Sequence, residues 1–318
     1  MKKILLSASL IAMLFSCQSE DTINAVTEKS TAPAHRGCAS NEVLERQLKE
    51  NPELAIKMNE IDEFATNAIS QGRLVNGKIE IPVVVNVLYK TTAENISLAQ
   101  IQSQIDVLNQ DFNATNADYN QVPALFSGVK ANVGISFVLD QVVRKSTTKT
   151  SWGTADAMKK TNRGGLAPTS PTTKLNLWVC TIGGGILGYA QFPGGASATD
   201  GVVCDSKYFG LSGTANYPYN LGRTATHEVG HWMNLRHIWG DATCGSDLVT
   251  DTPTHNTANY GVPAYPHYST CTGTPVEMTM NYMDYTDDRG MYMFSTGQKS
   301  RMEVLFVSGG SRFSFGQL

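Results

Sequence analysis

An excess of charge of either sign is missing from this sequence. Its 25 Lys and Arg nearly balance its 28 Asp and Glu, giving a formal net charge of -3 at pH 7. There is no basic stripe for a nucleic-acid backbone and no acidic tail, so nucleic acid is not an expected partner. Charged residues are sparse altogether, at 17%. Beyond Phe15 no apolar run is long enough to cross a bilayer, and no segment repeats. What is present is 318 residues, 41% of them hydrophobic. That is enough for one sizeable core with processed ends.

The N-terminus reads as a targeting segment. Met1-Lys2-Lys3 is cationic, and Ile4 to Phe15 is an apolar run of signal-peptide length. The Leu-x-Ser-Cys ending at Cys17 fits a bacterial lipoprotein signal, in which Cys17 would be acylated. Cleavage by the general signal peptidase stays open, because Phe15 is bulky for its position. The expectation is a secreted protein or an outer-surface lipoprotein, touching a membrane only through Cys17. Export permits disulfides, and with Cys17 in the signal five cysteines remain: 38, 180, 204, 244 and 271.

Residues 18 to about 40 are polar and Ala/Thr/Ser-rich. Asn41 to Ser70 reads as helical, interrupted at Pro52. Gln71-Gly72-Arg73 reads as an exposed break. Ile79–Tyr89 is β-branched and reads as a buried strand. Ser97, with Gln100 in the capping-box position, opens a helix with Ile101, Ile105, Leu108 and Phe112 as its apolar stripe. Strands are expected at Val133–Val143, Leu175–Thr181 and Gly201–Asp205, with an edge strand at Ile186–Phe192. A helix is expected over Thr224–Leu235 and another from Ser295. Between them, Gly240 to about Thr279 is irregular. The order gives an α+β fold with an upper α/β half and a loop-rich lower half.

His227-Glu228-Val229-Gly230-His231 carries the chemistry. On a helix, positions i and i+4 project from one face, so both imidazoles can reach one ion. Zinc takes nitrogen ligands at about 2.0–2.1 Å in fourfold coordination, and a catalytic site keeps the fourth place for water. Zinc lowers the pKa of that water to about 7, and Glu228 can act as general base. His237 is the candidate third ligand. The helix must stop before it, at a residue that tolerates a left-handed backbone. Asn234 occupies that place, where glycine would be best.

The string HEVGHWMNLRH resembles the metzincin pattern, with Asn in place of Gly. Asn281-Tyr282-Met283-Asp284-Tyr285 extends the resemblance. Met283 matches the Met-turn residue beneath the metal, and Tyr285 the tyrosine that stabilises the oxyanion. HEVGHW, Asp251-Thr252-Pro253, NYMDYTDD and Phe294-x-x-Gly297-Gln298 resemble the pappalysin family, over roughly residues 73 to 307. The resemblance implies a metzincin-type domain with a twisted mixed sheet, backing and active-site helices and a loop-rich lower subdomain. It implies an endopeptidase acting on proteins and peptides, with substrate extended along the edge strand; a monomer is expected.

Asp288 matches the acid at the base of the S1′ pocket. It would pair bidentately with Arg, so cleavage N-terminal to Arg, then Lys, is expected. The resemblance also implies calcium at Asp247, Thr250 and Asp251. Arg36-Gly37-Cys38 resembles a cysteine switch, in which the Cys38 thiolate replaces the catalytic water. Residues 1–17 would be the signal, 18–72 the pro-segment and 73–318 the catalytic domain, with self-cleavage before Arg73. Cys244–Cys271 matches a family disulfide. Cys180–Cys204 is inferred from two neighbouring strands. The alternatives are a catalytically silent surface-binding lipoprotein on the same fold and a metalloenzyme with a non-peptide substrate.

Overall fold

The computed structural model describes residues 35–72 and 78–316. The signal expected over residues 1–17, the acylation expected at Cys17 and the cleavage expected before Arg73 all fall outside the described residues.

Ser40–Glu50 forms α1 and Glu53–Ser70 forms α2. Pro52 separates them and serves as N-cap of α2, a place where its missing N–H costs nothing. Ile79–Tyr89 is β1 and Leu98–Phe112 is α3. Short β2 (Lys130–Ala131) precedes β3 (Ile135–Ser146), which starts two residues later than the β-branched run predicts. Leu175–Cys180 is β4, Gly188–Ala190 is β5 and Val202–Asp205 is β6. Arg223–Trp232 is α4, Phe294–Ser295 is β7 and Thr296–Glu303 is α5.

Five strands form one mixed sheet in the order β3-β1-β4-β6-β5, parallel except for β5. β5 is the edge strand, as expected, but is only three residues long. Gly184 and Gly185 before it have positive φ, and Pro193 follows Phe192. Pro82 is tolerated inside β1 because β4 pairing starts only at Val83, and the β1–β3 register shifts between Val83 and Val84.

Strand alternation splits the core between two faces. Leu175, Leu177 and Val179 of β4 join Ile101, Ile105 and Leu108 of α3 and Ala225, Val229 and Trp232 of α4. Burying each such aliphatic side chain is worth about 1.5–3 kcal/mol. Trp178, Cys180 and Tyr189 pack instead with Trp152, Met158, Ala39 and Val43. α3 and α4 thus lie beneath the sheet, and the start of α1 covers the other face.

That alternation corrects one expectation. Cys180 and Cys204 are both free and buried. In the β4–β6 register Cys204 is opposite Val179, and Cys180 is opposite Asp205. The one-residue offset puts Cys180 in the Trp178 cluster and Cys204 in the main core, on opposite faces of the sheet. Cys244–Cys271 is bonded and staples the irregular lower half.

Helix capping differs from expectation as well. Ser97 accepts from Gln100 N at 3.1 Å, but the Gln100 side chain turns inward and donates to Phe209 O at 2.9 Å. A reciprocal capping box forms at α5, between Ser295 and Gln298.

Alkylation followed by mass analysis checks the cysteine pattern. Cys180 and Cys204 should label on denaturation without reductant, and Cys244 and Cys271 only after reduction. Replacing Cys244 by Ser should cost about 2–4 kcal/mol of stability, read as a lower denaturation midpoint.

Candidate active site

α4 carries His227, Glu228 and His231, and every residue of the helix is buried. The helix ends at Trp232, and Asn234 adopts φ 70°. Leu235 N then bonds back to Gly230 O at 3.0 Å. The backbone reverses and returns His237 to the other two rings. His231 Nε2 lies 3.1 Å from His227 Nε2 and 3.1 Å from His237 Nε2.

Those contacts are not hydrogen bonds. Nδ1 of His227 donates to Tyr282 O at 2.7 Å, and Nδ1 of His231 donates to Leu235 O at 2.8 Å. A carbonyl can only accept, so both Nε2 atoms of the neutral rings are bare lone pairs. His237 Nδ1 meets the Asp241 carboxylate at 2.5 Å. Lone pairs this close repel unless a cation sits among them. Nitrogens bound at about 2.0–2.1 Å to one tetrahedral ion are roughly 3.3 Å apart, close to the spacing seen. The donor set fits zinc. Asp241 was not legible in the sequence. Its only local signal is the four-residue spacing from His237, and its role is to fix ring and tautomer.

Two glycines make room for this arrangement. A Cβ at Gly230 would lie 2.5 Å from Met283 Sδ, so the helix can approach the Met-turn only without one. Met283 is fully buried, and its carbonyl accepts from Ile238 N at 3.1 Å. A Cβ at Gly188 would lie 2.9 Å from Glu228 Cγ, so the edge strand admits the Glu228 side chain only as glycine.

Burial pushes the basicity of His227 far down and that of His231 down to about 3, with neighbouring imidazoles adding to it. Burial also raises the Glu228 carboxyl to about 7, against the lowering effect of bonds from Ser40 and Cys38. The Cys38 thiol is pushed well up, by burial and then by Glu228.

Residues 36–40 run through this centre. Cys38 Sγ and one nitrogen from each of His227, His231 and His237 lie within 4.8 Å of one another, a group that could hold a metal ion. Cys38 bridges Gly188 in parallel; Leu187 N donates to Gly37 O at 2.8 Å and Ala39 N to Gly188 O at 3.1 Å. Ser40 Oγ accepts from Ala190 N at 2.8 Å and donates to Glu228 Oε2 at 2.9 Å. Tyr285 Oη donates to Cys38 O at 3.1 Å.

Arg36 is buried beside Asp288. Its Nη2 meets Asp288 Oδ1 at 2.5 Å, its Nε donates to Thr286 O at 3.1 Å, and its guanidinium lies 5.0 Å over the Tyr219 ring. The contact with Asp288 is a single one, through Oδ1. Asp288 Oδ2 is already committed to Leu221 N at 2.7 Å and Arg223 N at 3.3 Å. Asp247 and Asp251 are likewise engaged by protein donors. Asp247 accepts from Thr252 Oγ1 at 2.9 Å, and Asp251 accepts from Ser295 Oγ at 2.6 Å and Gly297 N at 2.7 Å. Thr250 is exposed beside them.

This fold and this centre define a zinc metalloendopeptidase of the metzincin type. The family profile described as Pregnancy-associated plasma protein-A (Peptidase_M43) matches residues 179–306. An extracellular metalloprotease of Pyricularia oryzae is 33% identical over 283 residues, covering 85% of this chain and 88% of the relative. Extracellular metalloprotease 1 of Coccidioides posadasii is 33% identical over 242 residues, covering 72% and 77%. Among solved structures, a mutant promirolysin of Tannerella forsythia is 40% identical with a TM-score of 0.81, covering 88% of this chain and 97% of that one. Mature mirolysin with a cleaved peptide is 43% identical with a TM-score of 0.74, covering 76% and 97%. The chain belongs to the pappalysin family. The relatives' names as extracellular enzymes support secretion.

If the Asp241 carboxylate orients the third ring, Asp241→Ala should lower metal affinity about 10- to 100-fold. Competition against a chromogenic chelator measures this; an unchanged affinity removes the role.

Proposed function

We propose that the protein is made as a zymogen, with residues 1–17 as signal, 18–72 as pro-segment and 73–318 as the catalytic domain of a monomeric bacterial enzyme. The mature enzyme hydrolyses proteins and peptides on the N-terminal side of Arg, then Lys. The observation that carries this reading is the placement of Arg36 against Asp288 together with Cys38 among three histidines. One of the protein's own arginines occupies the acidic pocket, and a thiol stands where a fourth ligand belongs.

His227, His231 and His237 would hold the zinc. Bound there, zinc supplies a Lewis acid that makes water a nucleophile near neutral pH. Glu228 takes the proton of the attacking water and returns it to the leaving amine. Tyr285 donates to the developing oxyanion; the carbonyl it holds in the zymogen, that of Cys38, stands in for the substrate's. Met283 floors the ring cluster. The β5 main chain offers Gly188 and Ala190 to an extended substrate, and Asp288 receives the basic side group of the residue just after the scissile bond. Coordination by Cys38 requires loss of its thiol proton, and Glu228 Oε2 lies 3.3 Å from the sulfur.

Acylation at Cys17 would tether the enzyme to an outer surface. Calcium enters only through the family resemblance, at Asp247, Thr250 and Asp251, and no step depends on it. The silent-lipoprotein alternative has no support, because Glu228 is present and all three histidines converge.

Peptide-library cleavage tests the specificity. Arg should dominate at P1′, with Lys second. Asp288→Asn should lower kcat/KM for Arg substrates roughly a hundredfold, as expected for breaking a buried charge pair. A P1′ profile without basic preference, or one unchanged by Asp288→Asn, sinks it. N-terminal sequencing of active material should begin at Arg73, and Cys38→Ser should hasten maturation.

A further inference from the structure

Asn234 stands where glycine would serve a left-handed turn better, at φ 70°. The side chain that glycine lacks is used. Its Nδ2 donates to Asp62 Oδ1, on α2, at 3.0 Å. Arg301 Nη2 donates to the same oxygen at 2.5 Å, while its Nε donates to Asn234 O at 2.8 Å. Arg236 Nη2 approaches Asp62 Oδ2 at 3.6 Å. One acid of α2 therefore clasps the turn that presents His237, and both arginines flanking it. α2 is seated for this by Ala65 and Ala68, which are buried against Val304.

The three partners of Asp62 all belong to the catalytic domain. Two guanidiniums and an amide facing one carboxylate are the chemistry of a carboxylate site. Loss of residues 18–72 takes the acid away and leaves the cradle. We propose that Asn234, Arg236 and Arg301 form a carboxylate-binding site, filled in the zymogen by Asp62, through which the released pro-segment rebinds the mature enzyme and steadies the His237 turn. This rests on the zymogen reading above. Because the site and the metal share one turn, occupancy of either strengthens the other by the same factor. The pro-segment thus holds the enzyme at a point separate from Cys38 and Arg36.

Asp62 leaves with the pro-segment, so Asp62→Asn changes no atom of the mature enzyme. Two measurements test the site. First, zinc release to a chromogenic chelator is followed in the full-length protein with Cys38→Ser and Glu228→Ala, which cannot mature itself. Adding Asp62→Asn should speed release roughly tenfold, the scale of one charge-assisted hydrogen bond, and Asp62→Glu should restore much of the difference. Second, a synthetic peptide of residues 35–72 carrying Cys38→Ser is titrated into mature enzyme and followed by fluorescence anisotropy. The Asp62→Asn peptide should bind roughly tenfold more weakly. Equal affinity of the two peptides overturns the proposal, whatever the folding of the full-length variants. If the unmodified 35–72 peptide fails to inhibit at all, the zymogen reading itself falls. If it inhibits and Asp62 makes no difference, only the cradle does.

Discussion

Three buried imidazoles, with His231 Nε2 held 3.1 Å from Nε2 of both His227 and His237, are the constraint on which the structure depends. Left alone they repel. The protein holds them with acceptors on the far side of each ring: Tyr282 O, Leu235 O and the Asp241 carboxylate. Each acceptor comes from a different stretch, so the Met-turn, the post-helical turn and the loop after it are all fixed by one requirement. The left-handed residue at Asn234 costs roughly 1–2 kcal/mol for a residue with a Cβ. Arg301 and Asp62 bond its carbonyl and amide and offset that cost.

The helix bearing two of these rings has no solvent face, so its polar side chains must be satisfied from within. Thr226 donates to Asp111 Oδ2 of α3 at 2.7 Å, and Arg223 lies 3.1 Å from the same carboxylate. Burial nonetheless raises the Asp111 carboxyl to about 6, in spite of Arg223. α4 is thus tied to α3 by buried polar bonds below and to β5 by close packing at Gly188. Glu228 is held at the sheet edge by the same packing that leaves no room for a side chain on residue 188.

What the sequence made legible follows from locality. The i, i+4 pair His227 and His231, the glutamate between them and the break at Asn234 are decided within one helix and its end. The strands were legible from β-branched runs, with ends misjudged by up to three residues. Cys180 and Cys204 were not, because whether two strand residues can meet depends on register, and one step reverses the face. Gln100 failed as a capping partner because Phe209 O, far along the sequence, competed for its amide. Arg36 and Asp288, 252 residues apart, each carried a local signal, but their pairing is a tertiary fact. Asp62 carried none.

On the proposed zymogen reading, the direction of residues 36–40 explains why they can sit in the cleft uncut. An enzyme that cleaves before Arg must have its metal on the N-terminal side of the arginine in its pocket. Here the residue among the histidines is Cys38, two positions to the C-terminal side of Arg36. The segment also pairs with β5 in parallel. With Arg36 fixing one end, the strand runs backwards past the centre, and the bond before Arg36 points away from it. Ser40 meanwhile donates to Glu228 Oε2 and so occupies the oxygen that would accept water's proton. On that reading Arg36 pairs with the pocket acid, Cys38 takes the fourth-ligand place and Ser40 engages the base. Under the proposed specificity no peptide bond is presented in the order that hydrolysis requires, and latency then needs only that the segment stay in place.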